Sequence, residues 1–307
     1  MTAAVALTNT RTMPGRLRRH LRPHPRWHWI PVMIFGAMLY AAILAALLGT
    51  QDILYVPSLL LVGAAVVPIT FLTFVGALPR RGALSFAQIA VAGALGGVIG
   101  TVVAGTLEFE TVRTLGSLPT VMIGLIEESA KLCIPAAFLL WRKPRALDGL
   151  VLGVAVGSGF AALETMGYAF AALISSHGHL DAVTRLLLLR SVTEPGGHAA
   201  WTGLASAALF AIRGSRKRWH GWLRFATVFA GVVALHAIWD SLAADMWYLL
   251  VGGASFSLLM ATTWYLYRHS GADDDRPSRF ATWRLGRRGL PTQEAPVEAV
   301  PELVMPR

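Results

Sequence analysis

The chain has 307 residues, of which 55% are hydrophobic and 14% are charged, and its mean hydropathy is +0.55. Soluble domains carry about a quarter charged residues, so this composition excludes an ordinary soluble domain and indicates a multi-pass protein of the cell membrane. The net charge of +10 could suggest nucleic acid as a partner. No basic motif with interleaved aromatic residues is present, however, so we expect no nucleic-acid binding.

Apolar stretches long enough to cross about 30 Å of hydrocarbon follow one another along the chain. They predict an all-α fold, a polytopic transmembrane helical bundle of about eight spans. The approximate spans are 30–49, 54–78, 84–107, 119–141, 148–172, 197–213, 222–242 and 246–267. They make up a transmembrane domain at 30–267, which follows a basic cytoplasmic segment at 1–29. The tail at 268–307 lacks apolar periodicity, so we expect it to be disordered and cytoplasmic.

Basic residues test this map, because cytoplasmic segments of membrane proteins are enriched in Lys and Arg. Of the 27 Lys and Arg residues, 23 fall in the proposed cytoplasmic segments. The proposed outer side has only Arg113, Arg185 and Arg190, and Lys131 lies inside a span. We therefore predict that both termini are cytoplasmic. The basic clusters are expected to contact anionic headgroups of the lipid bilayer.

The fourth span, with VMIGLIEESAKLCIPAAFLL at 121–140, contains three charged residues. Glu127, Glu128 and Lys131 oppose insertion by roughly 8–10 kcal/mol, and the nine Leu, Ile, Val and Phe residues of 119–141 offset only about 3–5 kcal/mol. Either glutamate can pair with the lysine across one helical turn. One carboxylate is then expected to lack a cation, so the span needs polar partners from other helices.

Ionisable residues of three other spans lie at a similar predicted depth. At 1.5 Å per residue from the cytoplasmic end of each span, these groups and the two glutamates lie roughly 20–27 Å up. The added groups are Glu164, His198, His236 and Asp240. Unrelated structural pairs have no reason to coincide in height. We therefore predict one polar site in the outer half of the membrane.

Small residues and a helix break flank this predicted site. Gly149, Gly153 and Gly157 recur every four residues and form a ridge that would let a neighbouring helix approach closely. The EPGGH segment at 194–198 should leave its histidine in the first turn of a new helix. The preceding TRLLLLRSVTE at 184–194 either covers the site from the outer surface or is a plain amphipathic connection.

Carboxylates and imidazoles in a water-accessible pocket fit two hydrolytic mechanisms. A carboxylate can take a proton from water while imidazoles stabilise an oxyanion. The same groups can also bind one divalent metal ion such as zinc, with Glu128, His198 and His236 as candidate ligands. The chain has no HExxH pair, so the metal mechanism stays open.

Four ordered motifs resemble those of the PrsW-type intramembrane proteases, which are related to the type II CAAX prenyl proteases. These motifs are EESAK at 127–131, FAALE at 160–164, the isolated His198 in GGHAAWTG, and HAIWD at 236–240. The resemblance covers a motif core at 119–242. Glu164 stands where the CAAX enzymes have His, and Asp240 where they often have Asn. The glutamate matches the PrsW branch and argues against prenylated substrates.

This resemblance implies a bacterial endopeptidase that cuts a membrane-anchored protein near the extracytoplasmic face. In some bacteria that substrate is an anti-sigma factor. Glu127 and Glu128 would hold and activate the attacking water, with Lys131 as the charge-balancing cation. His236 would bind the oxyanion or a metal and would be oriented by Asp240. The remaining catalytic candidates, which complete the pocket, are His198 and Glu164.

Two other functions fit the same intramembrane charges. A proton-coupled transporter or channel would also place Glu, Lys and His inside the membrane, and it would lose flux on mutation of Glu127 without ever producing a substrate fragment. A non-catalytic membrane scaffold would use the cluster for stability alone.

Overall fold

The computed structural model describes residues 27–77, 84–141 and 145–269. Within these ranges the chain forms ten α-helices and no strand, which confirms the predicted all-α fold. The basic segment at 1–26 and the tail from residue 270 lie outside the described residues, as do the predictions made for them.

Most of the predicted spans correspond to single helices. In chain order the helices are α1 (Trp29–Thr50), α2 (Val56–Gly76), α3 (Phe86–Leu115), α4 (Thr120–Lys131), α5 (Cys133–Trp141), α6 (Ala146–Ser175), α7 (Leu180–Thr193), α8 (His198–Ala211), α9 (Arg218–Asp240) and α10 (Asp245–His269). Six of them, α1, α2, α3, α6, α9 and α10, are long and apolar enough to cross a membrane. The protein is therefore a multi-pass membrane protein, while the count of eight spans and the cytoplasmic termini remain predictions.

The fourth predicted span is divided into α4 and α5 at Leu132. Pro135 explains the break, because it has no N–H to donate to the carbonyl of Lys131 and its ring clashes with that carbonyl. The sixth predicted span is α8, which has only 14 residues and begins at His198, as the EPGGH segment predicts. α4 and α8 both carry ionisable residues of the predicted site.

Five helices close a ring around a polar interior. α3 packs on α6, α6 on α8, α8 on α9, α9 on α4, and α4 on α3. Of the six long apolar helices α6 is the most buried, and its residues from Leu147 to Ser158 all lie in the core. α7 lies outside the ring and packs against α6 and α2.

Glycines allow α6 to lie very close to its neighbours in the ring. A Cβ at Gly157 would collide with the backbone carbonyl of His198, and one at Gly153 with the carbonyl of Thr202. The predicted ridge of small residues is therefore confirmed, and it places the first turn of α8 against α6.

Replacing Gly157 by alanine is expected to destabilise the protein, because the new methyl group meets backbone atoms rather than a flexible side chain. Overpacking of this kind typically costs about 1–3 kcal/mol. Thermal unfolding in detergent measures the effect. Gly167→Ala is the matched control on the same helix, since a Cβ there meets nothing within 4 Å. Equal unfolding temperatures for the two variants would contradict the close packing of α6 on α8.

Candidate active site

The ionisable residues predicted to share one depth lie together inside the ring of helices. α4 carries three of them, α9 carries two, and α6 and α8 carry one each. In chain order they are Glu127, Glu128, Lys131, Glu164, His198, His236 and Asp240. Hydrogen bonds and ion pairs connect all seven, so the structure contains one polar cluster rather than separate pairs.

Lys131 is fully buried and lies between both glutamates of α4. Its Nζ is 2.9 Å from Glu127 Oε2 and 2.9 Å from Glu128 Oε1. The same Nζ is 2.7 Å from His198 Nδ1 and 3.8 Å from the centroid of the Phe160 ring. We expected one glutamate to lack a cation. That expectation was wrong, because an ammonium group has three protons and here donates to both carboxylates.

The two adjacent glutamates differ in whether both of their carboxylate oxygens are hydrogen-bonded. Glu128 is 0% exposed, and its Oε1 also lies 3.0 Å from His236 Nδ1. Its Oε2 accepts a hydrogen bond of 3.1 Å from Thr202 Oγ1, so both oxygens are occupied. Glu127 is 6% exposed and makes its contacts through Oε2. Its Oε1 has no hydrogen-bond partner among the described residues, so Glu127 retains an oxygen for a ligand.

The imidazole of His198 has an assignable tautomer if the ring is neutral. Lys131 Nζ can only donate, so Nδ1 of His198 accepts. The proton therefore lies on Nε2, which donates to Glu164 Oε2 at 2.8 Å. Both ring nitrogens are thus held by charged neighbours.

His236 is oriented mainly by Glu128 and Trp201. Glu128 Oε1 accepts from Nδ1 at 3.0 Å, while Asp240 Oδ2 lies 3.5 Å from Nε2. The ring stacks on Trp201 at a centroid distance of 4.9 Å, and the indole Nε1 donates to Ser255 Oγ of α10. Asp240, which we expected to orient the imidazole, lies farther from the ring than Glu128 does, at the same 3.5 Å as Glu127.

A family model described as PrsW family intramembrane metalloprotease matches residues 61–267, two thirds of the chain. The chain belongs to this PrsW family. It is therefore an intramembrane protease, a peptide hydrolase whose substrate is a protein embedded in the bilayer. The predicted resemblance is confirmed and reaches from the motif core into α2. Comparisons with the curated proteins and with the solved structures give no significant match.

Metal binding in the PrsW family can be compared with the donor atoms of this cluster. Glu127, His198 and His236 each offer one ligand atom, and these atoms lie within 4.8 Å of one another. Two imidazoles and a carboxylate are the donor set of hydrolytic zinc sites. Glu127 takes the place of the predicted ligand Glu128 in this group. Lys131 contacts two of the same three residues, and the one lone pair of neutral His198 points at its ammonium, so a metal ion would have to displace Lys131 from His198.

The charges of the cluster also favour a bound cation. With His neutral, five buried or half-buried carboxylates face two permanent cations, Lys131 and Arg190. These carboxylates belong to Glu127, Glu128, Glu164, Glu194 and Asp240. An excess of buried negative charge is costly unless protons or a metal ion neutralise it. The residues present therefore fit a divalent metal in both donor type and charge.

Several residues of the site could not be identified from the motifs. Thr202 and Arg190 bind glutamates of the cluster. Glu108 interacts electrostatically with Glu127 and Lys131, and its Oε1 is a buried atom with no hydrogen-bond partner in the described part of the chain. Glu108 lies one residue beyond the predicted third span, whereas α3 continues to Leu115. A search for carboxylates just beyond predicted span ends would have found it.

Proposed function

We propose that this protease hydrolyses a membrane-anchored protein near the extracytoplasmic side, with Glu127 as the group that activates the attacking water. The observation that carries the proposal is the difference between the two glutamates. Glu128 has both oxygens bonded and no exposed surface, whereas Glu127 keeps Oε1 without a hydrogen-bond partner among the described residues. A general base must reach the proton that it takes, and of these two glutamates Glu127 is the one with an oxygen available for this.

His236 is placed to stabilise negative charge beside Glu127. Its Nδ1 donates to Glu128, so Nε2 of the neutral ring has a lone pair. That Nε2 lies 3.5 Å from a carboxylate oxygen of Glu127 and 3.5 Å from one of Asp240. Nε2 is therefore placed between two carboxylates, where it can bind a metal ion or carry a proton. Once protonated, Nε2 can donate to the carbonyl oxygen that becomes an oxyanion.

A divalent metal held by Glu127, His198 and His236 would supply Lewis-acid polarisation of the scissile carbonyl. The side chains have their own tasks in either case. Glu127 takes a proton from water, and Lys131 offsets part of the negative charge of the paired glutamates. Glu128 fixes the orientation of His236, and the ring of helices excludes bulk water from these groups.

The position of the cluster supports cleavage near the outer face. Asp240 is the last residue of α9, and Glu164 lies beyond the midpoint of α6. Both helix ends are on the predicted outer side. The substrate class is then a protein anchored by a single span, with a cleavable segment close to that face. An anti-sigma factor is one such substrate, supported only by the family resemblance.

Purified protease in liposomes with single-span substrates tests this proposal. We expect two fragments, with the cut site located by mass spectrometry in the outer half of the substrate span or just beyond it. Intact substrate with the wild-type protein would defeat the proposed reaction. A cut in the cytoplasmic half would contradict the proposed side.

Metal dependence is a separate prediction. We expect purified protein to retain about one equivalent of a divalent metal, and His236→Ala to lose it, because two imidazoles and one carboxylate supply the ligands. Elemental analysis measures the metal, and a chelator followed by added zinc measures recovery of cleavage. His220→Ala removes an imidazole far along α9 and is the matched control. Full cleavage by metal-free protein would show that the carboxylates and imidazoles act alone.

A further inference from the structure

Arg190 of α7, a helix outside the ring, binds several side chains of α6. Its Nη2 donates to Glu164 Oε2, and its Nε donates to Thr165 Oγ1 at 2.6 Å. The guanidinium also lies over the ring of Tyr168, with 4.9 Å from Cζ to the ring centroid. Only 14% of the Arg190 side chain is exposed. One buried guanidinium thus contacts three residues within about one turn of α6.

Glu164 connects Arg190 to His198 in the active site. The oxygen that accepts from Arg190 is Oε2, which also lies 2.8 Å from His198 Nε2. Because Lys131 donates to the other ring nitrogen, the single N–H of the neutral imidazole is at Nε2, and it donates a hydrogen bond to Glu164. Lys131 thus fixes which nitrogen carries the proton, and the position of Oε2 fixes the direction in which that N–H points, so Oε2 orients the ring of His198.

The Arg190 guanidinium also offsets the negative charge of a second buried carboxylate, that of Glu194. Glu194 Oε2 lies 3.6 Å from Arg190 Nη2, and both side chains are mostly buried. Glu194 Oε1 is buried and has no hydrogen-bond partner within the ranges that the structure describes. Without Arg190, two buried carboxylates would face each other close to His198 with no permanent cation between them.

Arg190 is not needed simply to attach α7 to the rest of the protein. α7 also buries apolar side chains against α2 and α6. This apolar cluster consists of Leu60, Ala64, Ala169, Val183 and Leu187. The helix therefore has its own hydrophobic anchor, and the polar contacts of Arg190 are available for another task.

We propose that Arg190 is a positioning residue of the active site, which fixes Glu164 and through it the orientation of His198 and the hydrogen bond of its Nε2–H. Its effect on cleavage rests on the proposed function. Its effect on the imidazole does not, and can be measured without any substrate.

Three variants test the proposal in liposomes with a single-span substrate. Arg190→Ala removes all the contacts, and Arg190→Lys keeps the charge but loses the fork that binds two acceptors. Arg185→Ala is the matched control, because Arg185 lies on the same helix as Arg190 but pairs with Asp245 of α10 and has a side chain that is 80% exposed. Cleavage gives kcat and KM for each variant. Solid-state nitrogen NMR of ¹⁵N-histidine protein gives the chemical shift of His198 Nε2, which reports the hydrogen bond of this N–H and is assigned by the signal lost in His198→Gln.

We expect Arg190→Ala to lower kcat about 10–100-fold with little change in KM, as is typical for residues that orient catalytic groups. Arg190→Lys should recover part of this loss, and Arg185→Ala should resemble the wild type. The His198 Nε2 signal should shift in Arg190→Ala, because the acceptor of this N–H is no longer held in place, and should stay at its wild-type position in Arg185→Ala.

Two results would overturn the proposal. One is an unchanged His198 Nε2 signal in Arg190→Ala, and the other is an equal loss of kcat in Arg185→Ala. If Arg190→Ala does not fold, Thr165→Val replaces it, because this change removes one acceptor and keeps the ion pair. A wild-type protein that cuts no substrate would refute the proposed function, while the NMR comparison would still decide the role of Arg190.

Discussion

Glu127→Gln is expected to abolish cleavage while leaving the protein folded. An amide cannot take a proton from water, and loss of a general base typically lowers the rate about 10²–10⁴-fold. The glutamine oxygen can still accept from Lys131 Nζ, so the contact of 2.9 Å can persist. Fragment formation in liposomes and thermal unfolding in detergent measure the two effects separately.

Glu128→Gln is the matched control for this prediction, since the same substitution is made one residue further along α4. Glu128 accepts from three donors, on Lys131, Thr202 and His236, and it is fully buried. An amide nitrogen would face at least one of these donors, so this variant should lose stability as well as activity. Separation of the two phenotypes supports a division of roles between the glutamates.

Three outcomes for Glu127→Gln would point elsewhere. Cleavage equal to that of the wild type would remove Glu127 from the reaction. A collapse of thermal stability would favour a purely structural cluster. Loss of ion flux with no fragment from any substrate would favour a proton-coupled transporter, against the family assignment.

The convergence of the cluster could be predicted because the membrane makes isolated charges expensive. Glu127, Glu128 and Lys131 cannot insert favourably in an isolated span, so the polar residues of other spans had to meet them. Helical rise alone then placed Glu164 and His198 at the same level. The depth estimate needed only sequence positions, and the structure brings these residues into contact.

The partners within the cluster could not be predicted, because they depend on rotamers and on contacts between helices. Sequence spacing paired His236 with Asp240, four residues away, yet its closest carboxylate is Glu128 on another helix. Composition also locates the ends of apolar stretches rather than the ends of helices, and so the predicted third span ends one residue before Glu108 while α3 continues to Leu115. The break at Leu132 had a visible signal in Pro135, which a span predicted from hydropathy ignores.

Lys131→Met is expected to cause the largest loss of stability of any single substitution in the site. It removes the only cation that contacts both Glu127 and Glu128 within the described residues. Removing one partner of a buried ion pair typically costs about 3–5 kcal/mol, because the other charge stays buried without compensation. Denaturant unfolding in detergent measures the loss. Arg113→Met is the control, since its pair with Glu110 is 65% and 45% exposed and should contribute less than about 1 kcal/mol.

A double variant separates charge from packing at Lys131. If the loss arises from uncompensated carboxylates, adding Glu128→Gln to Lys131→Met should cost much less than the sum of the two single changes. If Lys131 stabilises the protein mainly through packing of its stem against Phe160 and Gly100, methionine should replace that stem well. The single variant should then be nearly as stable as the wild type. Additive losses, or a stable single variant, would therefore mean that the ammonium is not what makes two adjacent glutamates tolerable inside the membrane.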